Sequence, residues 1–219
     1  MKFNAFWVEK TESGFERSII ERGVDELPEG DVVIDVAYSS LNYKDGLSAS
    51  GSPGVTRNYP HTPGIDAAGT VAESSSAKFS QGDEVIVIGF DLGMNTSGGF
   101  GAKIRVPSDW VVKMPDGLDL RSSMIIGTAG FTAAECIQKL ELAGLSKDAG
   151  PVLVTGATGG VGSVAVKLLA KMGHEVHAVT GKSDKKDFLV SLGASEVLNR
   201  DQIMEGLEKP LLKETWASV

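Results

Sequence analysis

The chain has 219 residues, of which 42% are hydrophobic, enough for one large domain or two small ones with sizeable cores. Its 29 acidic residues outnumber the 21 basic ones, and a formal net charge of −8 has the wrong sign for coating nucleic-acid phosphates or an anionic membrane surface, so neither is expected as a partner. A single cysteine, Cys136, excludes an intramolecular disulfide and a multi-cysteine zinc site, and the first residues lack the apolar run of a secretion signal, so the expected setting is cytoplasmic.

In chain order, residues 2–114 read as short strands punctuated by glycine, proline and aspartate. The runs 3–8, 32–38, 69–73, 84–89 and 101–107 predict a compact β-barrel or sandwich, and Pro115-Asp116-Gly117 reads as the turn that closes it. Residues 119–142 then change period, with Phe131, Ala134, Ile137 and Leu140 at helical spacing. A buried strand at 151–155 leads through a glycine turn into a helix at 164–172. Next come a strand at 175–179, a helix at 183–192 capped by Gly193, and a strand at 196–198. Strand-helix-strand-helix-strand predicts parallel pairing with right-handed crossovers. Three strands are half the usual number for a doubly wound nucleotide domain, and Trp216-Ala217-Ser218-Val219 reads as the start of a fourth, so the sequence is expected to be a fragment.

The turn Gly156-Ala157-Thr158-Gly159-Gly160-Val161-Gly162 follows a strand and opens a helix, the context in which helix N-terminal N–H groups hold a pyrophosphate. Its spacing departs from G-x-G-x-x-G. After the second strand, where an NAD site places an acidic residue for the ribose, the chain has Thr180-Gly181-Lys182; a hydroxyl and a cation suit a 2′-phosphate, and Arg200 after the third strand supplies a second cation. NADP is therefore the expected cofactor.

Ser40-Leu41-Asn42-Tyr43-Lys44-Asp45 gathers polar and ionisable groups behind a strand, and two readings stand: a catalytic loop, or an N-capped turn with Asp45 solvated. Asp66, in a glycine-framed apolar setting, reads as structural. His61, His174 and His177 lack metal-ligand spacing, and Cys136, beside alanines on a helix, reads as a buried thiol.

Four ordered segments carry a resemblance: Leu41-Asn42-Tyr43-Lys44-Asp45; Pro63-Gly64-Ile65-Asp66-Ala67-Ala68-Gly69-Thr70-Val71; Ile126-Gly127-Thr128-Ala129-Gly130-Phe131-Thr132-Ala133; and Val154-Thr155-Gly156-Ala157-Thr158-Gly159-Gly160-Val161-Gly162-Ser163. With them the sequence resembles the medium-chain dehydrogenase/reductase superfamily, in its zinc-independent quinone oxidoreductase and acrylyl-CoA reductase branch. The resemblance implies an α/β plus β protein: a GroES-like β-barrel substrate domain at 1–120, then a Rossmann-type parallel α/β NADP-binding domain at 121–219, C-terminally truncated to its first half. Zinc-dependent relatives have a cysteine where Asn42 stands and Gly-His-Glu where Gly64-Ile65-Asp66 stands, so no metal is implied.

The resemblance further implies NADPH-dependent hydride transfer to a conjugated carbonyl, with an enoyl thioester such as acrylyl-CoA as substrate. An NADPH:quinone oxidoreductase and an inactive fragment with residual nucleotide binding are the alternatives. Tyr43 would border the nicotinamide and act catalytically. Thr158, Gly159, Gly160 and Val161 would hold the pyrophosphate, and Thr180, Gly181, Lys182 and Arg200 the 2′-phosphate. The partner is a small molecule, and the full-length protein would be a homodimer.

Overall fold

The computed structural model describes residues 1–204 and 214–219, and these divide into two compact units, Met1–Thr128 and Ala129–Val219. The division falls eight residues beyond the sequence-based boundary at 120, inside a helix whose first turns belong to the first unit.

The first unit opens with an antiparallel hairpin, β1 (Lys2–Thr11) and β2 (Gly14–Gly23), paired without interruption from Lys2↔Gly23 to Thr11↔Gly14. Half of β2 is exposed and only Arg22 is buried, which leaves no apolar alternation to read; β1 supplies its register. A five-stranded antiparallel sheet follows in the order β6-β3-β4-β5-β7, built from β3 (Val32–Tyr38), β4 (Asp66–Ser74), β5 (Glu84–Ile88), β6 (Lys103–Val106) and β7 (Val111–Lys113). Its inward positions alternate as a half-buried strand requires, and Val32, Ile34, Val71, Val85, Val87, Leu92, Ile104 and Val106 form the core. Single bridges, Ala5↔Gly101 and Val8↔His61, tie the hairpin to the rest of the unit.

Between β3 and β4 lies a seven-residue helix, α1 (Tyr43–Ala49), where the sequence reading left a loop. Helix α2 (Leu120–Leu142) breaks at Gly127, whose φ of 51° and ψ of −162° are open to glycine alone.

The second unit is a three-stranded parallel sheet, order β10-β9-β8, from β8 (Val152–Val154), β9 (Val176–Val179) and β10 (Glu196–Leu198). Helix α3 (Gly160–Met172) starts four residues earlier than its apolar stripe suggests and closes on Gly173 at φ 90°; α4 (Lys186–Ser191) and α5 (Arg200–Met204) complete the described helices. Val152, Val154, Val166, Leu169, Val176, Ala178 and Leu189 fill one side of the sheet. On the other edge of β8, Ser218 forms a parallel bridge with Val152, which places 216–219 where a fourth strand begins.

Candidate functional site

In the second unit, β8 runs into the glycine turn. Gly156 takes φ 59°, and a Cβ on Gly162 would lie 2.4 Å from the Gly156 carbonyl oxygen, so the first turn of α3 seats directly on the loop only because that side chain is missing. The initial N–H groups of this 13-residue helix have no intrahelical acceptors, and Gly159, Gly160 and Val161, where it begins, are exposed.

Beside the turn is a cavity of about 550 Å³ lined by Thr155, Gly156, Thr158, Val179, Thr180, Gly181, Lys182, Arg200, Ile203 and Met204. Parallel register, Leu198↔Val179, carries Arg200 to the place where β9 ends. A Cβ on Gly181 would sit 3.5 Å from Arg200 Nε, so the guanidinium lies alongside that backbone. Thr180 Oγ1 accepts from the Lys182 N–H at 3.1 Å and is 3.4 Å from Thr158 Oγ1. Among the described residues neither Lys182 nor Arg200 forms an ion pair, and no carboxylate lines the cavity. Two cations, two hydroxyls and a helix N-terminus at one end of a parallel sheet suit a phosphate-rich ligand.

Thr158, Thr180, Gly181, Lys182 and Arg200 therefore converge. Gly159, Gly160 and Val161 line an adjoining apolar cavity of about 430 Å³ with Cys136, Ile137 and Leu140. Cys136 is exposed, which corrects the buried-thiol reading: the apolar stripe of α2 turns Ala133 and Ile137 inward and leaves the thiol on the rim. Ile203 and Met204 went unnoticed because α5 carries no periodic pattern long enough to read.

In the first unit, Tyr43 begins α1 with 85% of its surface exposed. Asp45 is buried, not solvated: Oδ2 accepts from the Asn42 N–H at 2.8 Å, and Oδ1 from the Ile65 N–H at 3.0 Å. Burial pushes its carboxyl above the usual range, opposed by those two N–H groups and reinforced by the Asp66 carboxylate.

Asp66, fully buried, accepts from Asn42 Nδ2 at 3.0 Å, from the Thr128 N–H at 2.9 Å and from Thr128 Oγ1 at 2.5 Å. A Cβ on Gly127 would lie 2.5 Å from Ser40 Oγ and 2.8 Å from Asp66 Oδ2, so the break in α2 is shaped around these groups. Ser40 Oγ also donates to the Met124 carbonyl at 2.8 Å. Residues with the chemistry of an active-site loop are thus locked together by a carboxylate. Among the described residues no group of three His, Cys, Asp or Glu side chains is arranged to hold a metal ion.

Residues 28–116 match the family model of the alcohol dehydrogenase GroES-like domain, and 152–209 match the NAD dependent epimerase/dehydratase family. The acrylyl-CoA reductase AcuI of Ruegeria pomeroyi is 48% identical over 217 residues, covering 98% of this chain and 66% of the relative's length. The chain belongs to the medium-chain dehydrogenase/reductase superfamily.

Within this superfamily, the putative quinone oxidoreductase YhfP of Bacillus subtilis is 45% identical over 214 residues, covering 98% of the chain and 65% of its own length. The crystal structure of yhfP with NAD bound superimposes with a TM-score of 0.94, covering 99% of this chain and 66% of that one. The yhdH oxidoreductase of Salmonella enterica in complex with NADP gives 0.93 at 45% identity, covering 99% and 65%. The chain spans slightly less than two thirds of the length of the curated relatives it matches. Among the described residues, no helix is long and apolar enough to cross a membrane.

Proposed function

We propose that this chain carries the cofactor-binding and substrate-binding parts of a zinc-independent, NADPH-dependent reductase that acts on a conjugated carbonyl, with an enoyl thioester such as acrylyl-CoA as substrate. The observation that carries the cofactor half is the pairing of Lys182 and Arg200 beside Thr180 in a cavity that, among the described residues, has no carboxylate where an NAD-type ribose acid would stand. The NADP complex of the Salmonella relative supports it. The Gly156–Gly162 contact fits this reading: with no Cβ at Gly162 the first turn of α3 seats directly on the glycine turn, which keeps its N–H groups beside it.

The reduced nicotinamide, when bound, supplies a hydride for the β-carbon of the acceptor. In this reading Thr158, Gly159, Gly160 and Val161 hold the pyrophosphate through α3 N–H groups, and Thr180, Gly181, Lys182 and Arg200 hold the 2′-phosphate. Tyr43, exposed at the head of α1, borders the nicotinamide and orients the acceptor or donates the proton that the enolate takes up. Asn42 and Asp66, which stand where zinc-dependent relatives have a cysteine and the last residue of Gly-His-Glu, hold that loop in shape through their mutual hydrogen bond. Residues 1–120 form the substrate domain and 121–219 the NADP domain.

The thioester acceptor is favoured by the 48% identity to the acrylyl-CoA reductase; the 45% identity to the putative quinone oxidoreductase, whose structure holds NAD, sustains a quinone acceptor and NADH as the second reading. NADPH and NADH oxidation measured with acrylyl-CoA and with a benzoquinone separates them, and absence of turnover with the thioester sinks the first. Binding of NADP by calorimetry reports on the site by itself. Lys182→Ala and Arg200→Ala are each expected to weaken NADP about tenfold, as loss of a charge-assisted phosphate contact does, and to leave NAD within about twofold. Equal effects on both nucleotides would exclude the 2′-phosphate assignment. Cys136 as the only cysteine suits the reducing cytoplasm as the proposed setting, and light scattering tests the homodimer that the resemblance implies.

A further inference from the structure

Strand β2 is paired along one edge and open along the other. Phe6 and Val8 donate their N–H groups to the Phe100 and His61 carbonyls, and the Asn4 carbonyl accepts from the Ala102 N–H, so the even-numbered residues of β1 bond away from the hairpin. Bonding direction alternates along an antiparallel strand, and the odd-numbered residues of β1 therefore bond to β2. In the register that runs from Phe3↔Arg22 to Glu9↔Glu16, their partners are Glu16, Ser18, Ile20 and Arg22. Arg17, Ile19 and Glu21 are left with N–H and C=O groups directed outward, and among the described residues no backbone group meets them.

All three side chains are exposed, Ile19 by 67%. A row of unmet backbone groups is a template for another strand, and charge on an edge normally guards it by setting like signs together. Here the signs are mirrored about Ile19 instead. In an antiparallel pairing of two copies with Ile19 opposite Ile19, each Arg17 stands opposite the second copy's Glu21. Outward groups meet only when odd-numbered residues face one another, so the register moves in steps of two. One step either way sets Ile19 against Arg17 or Glu21, and a further step sets Arg17 against Arg17 or Glu21 against Glu21. The charges keep their reach. Glu21 Oε1 accepts from Lys2 Nζ at 2.5 Å and Arg17 Nε donates to the Ala49 carbonyl at 2.8 Å, which leaves Glu21 Oε2 and the Arg17 Nη groups without a partner among the described residues.

We propose that the outer edge of β2 is an isologous interface at which a second copy of this chain extends the hairpin into a four-stranded antiparallel sheet, with Ile19 on the two-fold axis. None of its residues is assigned to the cofactor or the acceptor, so the outcome does not bear on the reductase reading. A short ladder with a single apolar contact makes a small interface, and a dissociation constant of about 10–100 μM is expected, as for weak transient contacts.

Sedimentation of the 219-residue chain over a series that reaches about 500 μM tests this, because it carries a dimer of that strength to saturation. The wild type is expected to pass from monomer to dimer along the series. Ile19→Lys sets two ammonium groups opposite each other and Arg17→Glu sets carboxylates opposite each other, and each is expected to weaken association about tenfold or more. Arg17→Glu combined with Glu21→Arg exchanges the two signs and is expected to restore association to within about threefold of the wild type. The three positions are exposed, and thermal melts check that each variant is folded; the rescue in the double variant is a result that misfolding cannot produce. A wild type that stays monomeric throughout the series overturns the interface. So does a dimer indifferent to Ile19→Lys and Arg17→Glu, which would place it on another surface, or a double variant that associates no better than Arg17→Glu.

Discussion

Asp66 is a buried carboxylate without an ion pair among the described residues, held by an amide, a hydroxyl and a backbone N–H. A buried charge is tolerated when its lone pairs are filled, and removing it leaves buried donors without that acceptor. Asp66→Ala is therefore expected to lower stability by about 2–4 kcal/mol in urea unfolding, with Asp66→Asn in between, since an amide keeps the shape but offers one acceptor oxygen. A loss below about 0.5 kcal/mol would mean that the three contacts do not hold the loop. The sequence reading of Asp66 as structural agrees with this geometry. The solvated reading of Asp45 failed for a physical reason: its carboxylate accepts from the backbone N–H groups of Asn42 and Ile65, and only folding of β4 against α1 brings the second of these near.

At the scale of elements, two glycines do work that their neighbours cannot. Gly162→Ala would drive a methyl into the Gly156 carbonyl and push α3 off the turn, so an unfolding loss of about 1–3 kcal/mol and weaker NADP binding are expected together. If stability alone falls, the turn is a packing contact and not a phosphate cradle. Gly127→Ala faces both a forbidden backbone conformation and contact with Ser40 and Asp66, so it is expected to cost more than Gly162→Ala; thermal melts of the two variants decide. The second unit was read almost element by element, because buried parallel strands are short apolar runs and α3 has a clean stripe. The hairpin strand β2 and helix α1 were missed: β2 buries only Arg22 and α1 is seven residues long with a glycine inside it.

For the whole molecule, acid acts in two opposed ways. Burial holds the His61 imidazole below its ordinary value, so the unfolded chain takes up a proton first as pH falls, and the stability His61 contributes above about 6.5 is lost as pH drops through its folded value. Asp45 has the reverse sign: with its folded pKa raised, its contribution is fully present below about 3.9 and is lost as pH rises through the folded value. Between pH 7 and pH 5 the histidine dominates, and a fall in melting temperature is expected that His61→Gln flattens, because a glutamine amide can still donate to the Gly93 carbonyl that His61 Nε2 meets at 2.9 Å. An unchanged slope in His61→Gln would assign the acid loss elsewhere.

A single cysteine was enough to exclude a disulfide within the 219 residues, since that depends only on a count, and net charge was enough to make nucleic acid an unexpected partner. Local pattern was enough for the β-rich then α/β order and for the glycine turn, because strand burial and helix entry leave their mark on adjacent residues. Tertiary structure alone decided the rest. The parallel register of β9 and β10 brings Arg200, nineteen positions along the chain from Gly181, beside its backbone. Antiparallel pairing of β4 and β5, with the close seat of Gly93 on Gly64, puts Asp66 and the loop after β5 at one end of the sheet. Contacts between residues far apart in sequence depend on strand order and register, and neither is written in any local stretch of the chain.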